Sequence, residues 1–205
     1  MSSFILLDVP HVGQREIGGH TGHVSHSEQN GCWYASTCMV SYFWEAGPRL
    51  GVPEQYAANP KDPKPMGARY STLKQNENFE GVPLPAAKAW TIYKLYNVLE
   101  NYGPCYVRRG FRNAATGKLE GGHAVVLIGA NLLDKTVCIL DPWYTKDNGG
   151  AGARRWRQHH SIADFNGFFK WDESWAPGIS LMYKKQIDPL AAVSHIRQHL
   201  DLMWW

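Results

Sequence analysis

Cysteine is scarce in this chain, long apolar runs are missing, and charge of either sign is low. Four cysteines in 205 residues are too few for a disulfide scaffold. Cys32, Cys38, Cys105 and Cys138 make no C-x-x-C pair, which argues against a structural zinc site. A reducing compartment or a reactive thiol fits that usage better. The longest purely apolar stretches, such as Ala124 to Ile128, fall far short of the ~20 residues a bilayer requires, so no membrane partner is expected. The start, Met-Ser-Ser-Phe-Ile-Leu-Leu-Asp, has no Lys or Arg before its apolar stretch, and Asp8 ends that stretch early. No cleavable secretory signal is therefore expected. A net charge of +3 is too weak to argue for nucleic acid. No repeat is visible at periods of roughly 20–50 residues. What the chain does have is 44% hydrophobic and 13% aromatic residues, which excludes a disordered, collagen-like or coiled-coil chain. A compact monomer of this length buries roughly 70% of the surface of its unfolded chain. One domain over 1–205 is expected, with about 1–102 as a helical lobe and 103–205 as a sheet lobe.

The apolar pattern places the elements. A short strand is expected over Phe4–Val9, followed by a Gly- and His-rich loop. A helix should run from Cys32 to about Ala46, where Gly47-Pro48 stops it. Residues 47–85 are proline-rich and read as a long irregular connection with at most one short helix. A second helix is expected over Ala86–Tyr102, its buried stripe including Ala87, Trp90, Lys94, Leu95, Val98, Leu99 and Tyr102, with Gly103-Pro104 at its end. Strands follow at Cys105–Arg109, at 123–130, at Thr136–Asp141 and at Ile179–Tyr183, and a helix over about Leu190–Leu202 closes the chain. The 123–130 run is continuously apolar, as suits a central strand covered on both faces. Helices first and strands later argue for an α+β fold.

Three of these element ends carry chemistry. Cys32 stands at a helix start, where unpaired N–H groups and the macrodipole favour an anion and lower a thiol's pKa. A nucleophile is one reading. A small buried hydrophobe is the other, and Cys38, on a different face of the same helix, takes that role. A thiolate needs a base, and the base needs an orienting acceptor. His123 opens the central strand and Asp141 closes the next. With a hairpin closed by a loop over 131–135, Ala130 pairs with Thr136 and position 123 falls opposite 143. His123 and Asp141 then share a face as diagonal neighbours. An odd register would place them on opposite faces. The ordinary alternative is a strand-end histidine and a turn aspartate before proline. An oxyanion hole would take the Cys32 N–H and a side-chain amide, for which Gln14, Gln29 and Asn30 are the candidates.

At these residues a family comes into view. Gly31-Cys32-Trp33-Tyr34-Ala35-Ser36 resembles the nucleophile run of papain-like cysteine peptidases. The set Val9-Pro10-His11-Val12-Gly13-Gln14, Gly31-Cys32-Trp33, Leu95-x-x-Val98-Leu99, Gly121-Gly122-His123-Ala124-Val125-Val126 and Leu140-Asp141-Pro142-Trp143 resembles the bacterial effector, AvrRpt-type branch of that superfamily. The resemblance implies a papain-like fold, an N-terminal helical lobe packed on a C-terminal antiparallel sheet. It implies Cys32 as nucleophile, His123 as base, Asp141 as orienting acid and Gln14 as oxyanion amide. Gln14 lies 18 residues ahead of Cys32 (from 14 to 32), farther than the family's few, and Gln29 is its rival. Trp33, Gly122 and Trp143, from the same blocks, are the candidates for substrate contact.

The implied activity is peptide-bond hydrolysis by a Cys-His-Asp triad, without cofactor or metal. The implied setting is a bacterial effector or toxin, cytoplasmic in its producer and exported by a specialised system to act on proteins of a target cell. With 31 residues before Cys32, a masking pro-region has little room. Control is expected from a chaperone, an activating host factor or an immunity protein. A different acyl transfer by the same residues is the alternative: deamidation, transglutamination or cell-wall amide cleavage. Other signals read more plainly. His20, His23 and His26 suit a polar loop better than a metal site, and His195 and His199 suit a solvated helix face. Arg154 to Arg157 suit a charged loop rim. Phe165, Phe168, Phe169, Trp171 and Trp175 suit core beneath the sheet.

Overall fold

The computed structural model describes residues 2–14, 32–45, 73–74, 77–87, 89–112, 115–116, 119–143, 156–168, 179–186, 188, 190 and 194–196. In chain order the elements are β1 (Phe4–Leu6), α1 (Cys32–Trp44), β2 (Phe79–Pro83), α2 (Ile92–Tyr102), β3 (Cys105–Arg112), β4 (Leu119–Asn131), β5 (Thr136–Leu140), β6 (Arg157–Ser161), α3 (Ile162–Phe168) and β7 (Ile179–Lys184). The strands form one seven-stranded sheet in the order β2-β7-β3-β4-β5-β6, with β1 on β4. Every ladder among the described residues is antiparallel. The fold is mixed α and β, but the order differs from helices first, strands later. β1 and β2, from the first half of the chain, join the same sheet as the later strands.

β4 is the axis of this sheet. Its residues Ala124–Ile128 are all buried, which a strand achieves only when both faces are covered. On one edge it pairs with β3 over 119–127 and then with β1 over 129–131. On the other it pairs with β5 over 126–131. Both α1 and α2 pack against it.

The β4–β5 hairpin differs from the expected one. Next to the turn, Asn131 faces Thr136, Ala130 faces Val137 and Gly129 faces Cys138. Farther from the turn, Leu127 faces Ile139 and Val126 faces Leu140. The turn comprises 132–135, one residue shorter than the expected loop, and that odd register alone would turn His123 and Asp141 to opposite faces. Ile128 corrects it. It is the extra residue of a β-bulge on β4, and beyond it the register is even again. The bulge is supported on both sides. The Leu7 N–H donates to the Ile128 carbonyl at 2.9 Å, so the carbonyl displaced from the ladder is still satisfied. At Gly129 a Cβ would stand 2.9 Å from the Ile5 carbonyl oxygen and 3.1 Å from Cys138 Cβ. Only glycine lets β1 and β5 close on β4 there.

α1 is nearly buried on every side, from Tyr34 to Ser41 and again at Phe43. A helix buried all round has no polar stripe to give it away. Its small polar residues are bonded locally, as in the 2.7 Å bond from Thr37 Oγ1 to the Trp33 carbonyl. α2 begins at Ile92, six residues later than expected, because Thr91 caps it: the Thr91 hydroxyl accepts from the Lys94 N–H at 3.3 Å. Ala87 and Lys94 are exposed, and the buried stripe is Ile92, Leu95, Tyr96, Val98 and Leu99. Gly103 ends the helix with φ 74°, and a Cβ there would meet the Trp44 ring at 2.6 Å.

The strands β2 and β6 and the helix α3 are additions to the sequence reading. β2 lies in the proline-rich stretch, and β6 and α3 lie past the last recognisable motif. Phe165 on α3 is buried in the core as expected, while Phe169, Trp171 and Trp175 and the side chain of Phe168 lie outside the described residues. His195 is not on a solvated face. Its Nε2–H donates to the Phe43 carbonyl at 2.6 Å and its ring stacks on Trp44, so it caps the end of α1. His199, His20, His23 and His26 lie outside the described residues. No helix among the described residues is long and apolar enough to cross a membrane.

Candidate active site

His123 and Asp141 are brought together by strand register alone. Past the bulge, β4 and β5 run in the even register and both side chains leave the same face. The His123 Nε2 stands 2.6 Å from Asp141 Oδ1, with His123 8% and Asp141 5% exposed. A bond this short between two nearly buried groups is charge-assisted. Asp141 is held on every side. Its Oδ1 also accepts from the Trp143 N–H at 2.9 Å, and its Oδ2 accepts from Gln158 Nε2 at 3.4 Å. Its own N–H donates to the Trp156 carbonyl at 2.8 Å, and its carbonyl lies 3.2 Å from His11 Nε2.

Cys32 is the first residue of α1 and half-buried. Its thiol lies within electrostatic reach of the His123 ring. With Nε2 engaged by Asp141, Nδ1 is the ring nitrogen left for the sulfur. Burial by itself raises the Cys32 thiol. The His123 ring and the N–H groups of Ala124 and Trp33 outweigh it, and the net shift is downward. His123 moves the other way. Burial lowers it, but Asp141 and Cys32 win and carry it up to about 9. A lowered thiol beside a raised imidazole favours the thiolate–imidazolium pair near neutral pH. Cys138 and Cys105 make the contrast: burial dominates, pushing Cys138 up to about 12 and Cys105 further, and both stay thiols. None of the four cysteines forms a disulfide.

The remaining sequence candidates fall around these three. Gln14 is 1% exposed, and its backbone N–H donates to the Pro142 carbonyl at 2.8 Å, one residue past Asp141. Gln29 and Asn30 lie outside the described residues. Trp33 is half-buried, Gly122 is exposed and Trp143 is 42% exposed, the last held by its N–H on Asp141. Three neighbours of Asp141 escaped the sequence reading: His11, Trp156 and Gln158. Trp156 and Arg157 belong to the site wall and β6 rather than to a loop rim. The Trp156 ring packs on His11 at 5.1 Å, and Arg157 lies over it at 5.2 Å. Arg154 and Arg155 lie outside the described residues. Among the described residues no three His, Cys, Asp or Glu gather as a metal site.

The family model described as papain-like cysteine protease AvrRpt2 matches residues 12–160. The chain belongs to this family. It is a papain-like cysteine peptidase, and proteins are its substrates. The matched span holds Gln14, Cys32, His123 and Asp141, and it ends on β6.

Proposed function

We propose that Cys32, His123 and Asp141 form the catalytic triad of this peptidase. The observation that carries the reading is the 2.6 Å bond between His123 and Asp141, with the Cys32 thiol lowered by the same imidazole. In this reading the thiolate attacks a peptide carbonyl carbon, and the oxyanion settles on the Cys32 N–H and the Gln14 amide. His123 then gives its proton to the leaving amine, and a thioester remains on Cys32. The neutral imidazole next takes a proton from water, whose oxygen displaces the sulfur and restores the thiolate–imidazolium pair. Asp141 keeps the ring oriented and steadies its positive charge. Gln14 is favoured for the second donor because it stands in the Val9-Pro10-His11-Val12-Gly13-Gln14 block that resembles the family's.

The arrangement proposed is papain-like, with the α1 side carrying the nucleophile and the sheet side carrying the base and acid. Trp33, Gly122 and Trp143 are proposed to line the substrate path. The resemblance to effector peptidases supports a setting in which the protein is exported to act on proteins of a target cell. A chaperone, an activating host factor or an immunity partner would then control it.

The test is to incubate the wild type and Cys32→Ala with a denatured protein mixture and map new chain termini by mass spectrometry. New termini with the wild type alone support the triad. Ammonia release from glutamine without new termini would move the reading to deamidation by the same residues. Equal behaviour of the two proteins would end the assignment of Cys32.

A further inference from the structure

Asp141 is also held from behind, by side chains that none of the recognisable motifs contains. On β6, Gln158 Nε2 stands 3.4 Å from Asp141 Oδ2, and Gln158 Oε1 stands 3.2 Å from His160 Nε2. The polarity of this line follows from the carboxylate. An ionised carboxylate only accepts, so the Gln158 amide must turn its NH₂ to Asp141. Its oxygen then faces His160, and an amide oxygen also only accepts. The proton of the His160 ring therefore sits on Nε2. A flipped Gln158 would set two acceptors against each other at Asp141.

We infer that Gln158 is a positioning residue for the His123–Asp141 pair, and that His160 fixes the orientation of its amide. The backbone makes this placement reproducible. Leu140 faces Arg157 and Ile139 faces Gln158 in the β5–β6 ladder, and the Asp141 N–H continues that ladder to the Trp156 carbonyl. Asp141 Oδ1 serves His123 and the Trp143 N–H, so a donor on Oδ2 opposes rotation of the carboxylate about its terminal bond. The 3.4 Å separation is long for an N–H···O bond. Contacts of this kind in a free enzyme tighten as the transition state forms. The contribution of Gln158 should accordingly fall on kcat and leave KM almost alone.

The inference rests on the triad reading, and the experiment separates the two. Peptide cleavage is measured for the full-length wild type, Cys32→Ala, Gln158→Leu, His160→Phe, His160→Gln and the Gln158→Leu/His160→Phe double variant, each with its melting temperature. Gln158→Leu should lower kcat roughly tenfold, the size of one lost hydrogen bond to a charged group, and change KM by less than about twofold. His160→Phe should lower kcat severalfold. His160→Gln, which can still donate to the amide oxygen, should restore it. The double variant should be no slower than Gln158→Leu, because His160 acts only through Gln158. A wild-type kcat in Gln158→Leu would overturn the inference and leave the triad standing. So would a loss confined to KM, additive losses, or equal kcat in His160→Phe and His160→Gln, a contrast that needs no folded Gln158→Leu. A wild type as inactive as Cys32→Ala would sink both.

Discussion

The two sides of the candidate site are built by different means. His123 and Asp141 sit on neighbouring antiparallel strands, and their 2.6 Å contact follows from ladder register. Cys32 reaches the same imidazole from the first turn of a buried helix, and its place depends on how α1 packs against β4. Register is an integer quantity and packing a continuous one. A fault on the sheet side should therefore act as all or none, whereas a fault on the helix side should act by degrees.

The strongest way to break this contrast is to delete Ile128. The odd register from the turn would then run through to the site and turn His123 away from Asp141. Cleavage should fall by about 10⁴-fold, as for loss of a triad member, with circular dichroism reporting how much of the sheet survives. Full activity in the deletion would refute the account of the bulge. At the oxyanion, Gln14→Ala should cost about 10²–10³-fold in kcat, or ~3 kcal/mol of barrier, while Gln29→Ala stays near wild type. The reverse result would transfer the oxyanion role to Gln29.

The pH profile sharpens the comparison further. Thiolate–imidazolium activity lies between the lowered Cys32 pKa and the His123 value of about 9. Burial is the largest influence on His123 and pulls it down, with Asp141 first among the groups that pull it up. In Asp141→Ala the alkaline limb of kcat/KM should move to lower pH, and an unmoved limb would show that another group sets it. The smallest effect expected is that of Thr91→Ala. Loss of the α2 cap should cost about 1 kcal/mol in urea denaturation and leave cleavage unchanged.

The motif blocks made most of the candidate site legible, because each places a reactive side chain at an element end. The pairing of His123 with Asp141 was reached by a different route from the real one. An even register was expected from a five-residue loop; the chain has a shorter turn and a bulge, and the two differences cancel. Gly129, a glycine inside an apolar strand, is the local sign of that bulge. β6 escaped because Arg157–Ser161 is polar throughout and shows no alternation. The helix after it had a legible start, since Ser161 Oγ accepts from the Asp164 N–H at 3.0 Å, three residues on, as helix caps do. β2 was obscured by the prolines around it. No local pattern in Gln158 could announce its tie to Asp141, because that contact exists only once β5 and β6 are side by side.

The hairpin that joins His123 to Asp141 has arms of unequal count. From the turn it is eight positions back to His123 and five forward to Asp141 (131 to 123, 136 to 141); Ile128 absorbs one of that difference and the diagonal placement of the pair the rest. Whatever happens beyond Asn131 and Thr136 leaves that count untouched. The tip, where Leu133 is 75% exposed, is thus insulated from the chemistry. A label or affinity handle spliced there could report on the enzyme at work without entering its arithmetic.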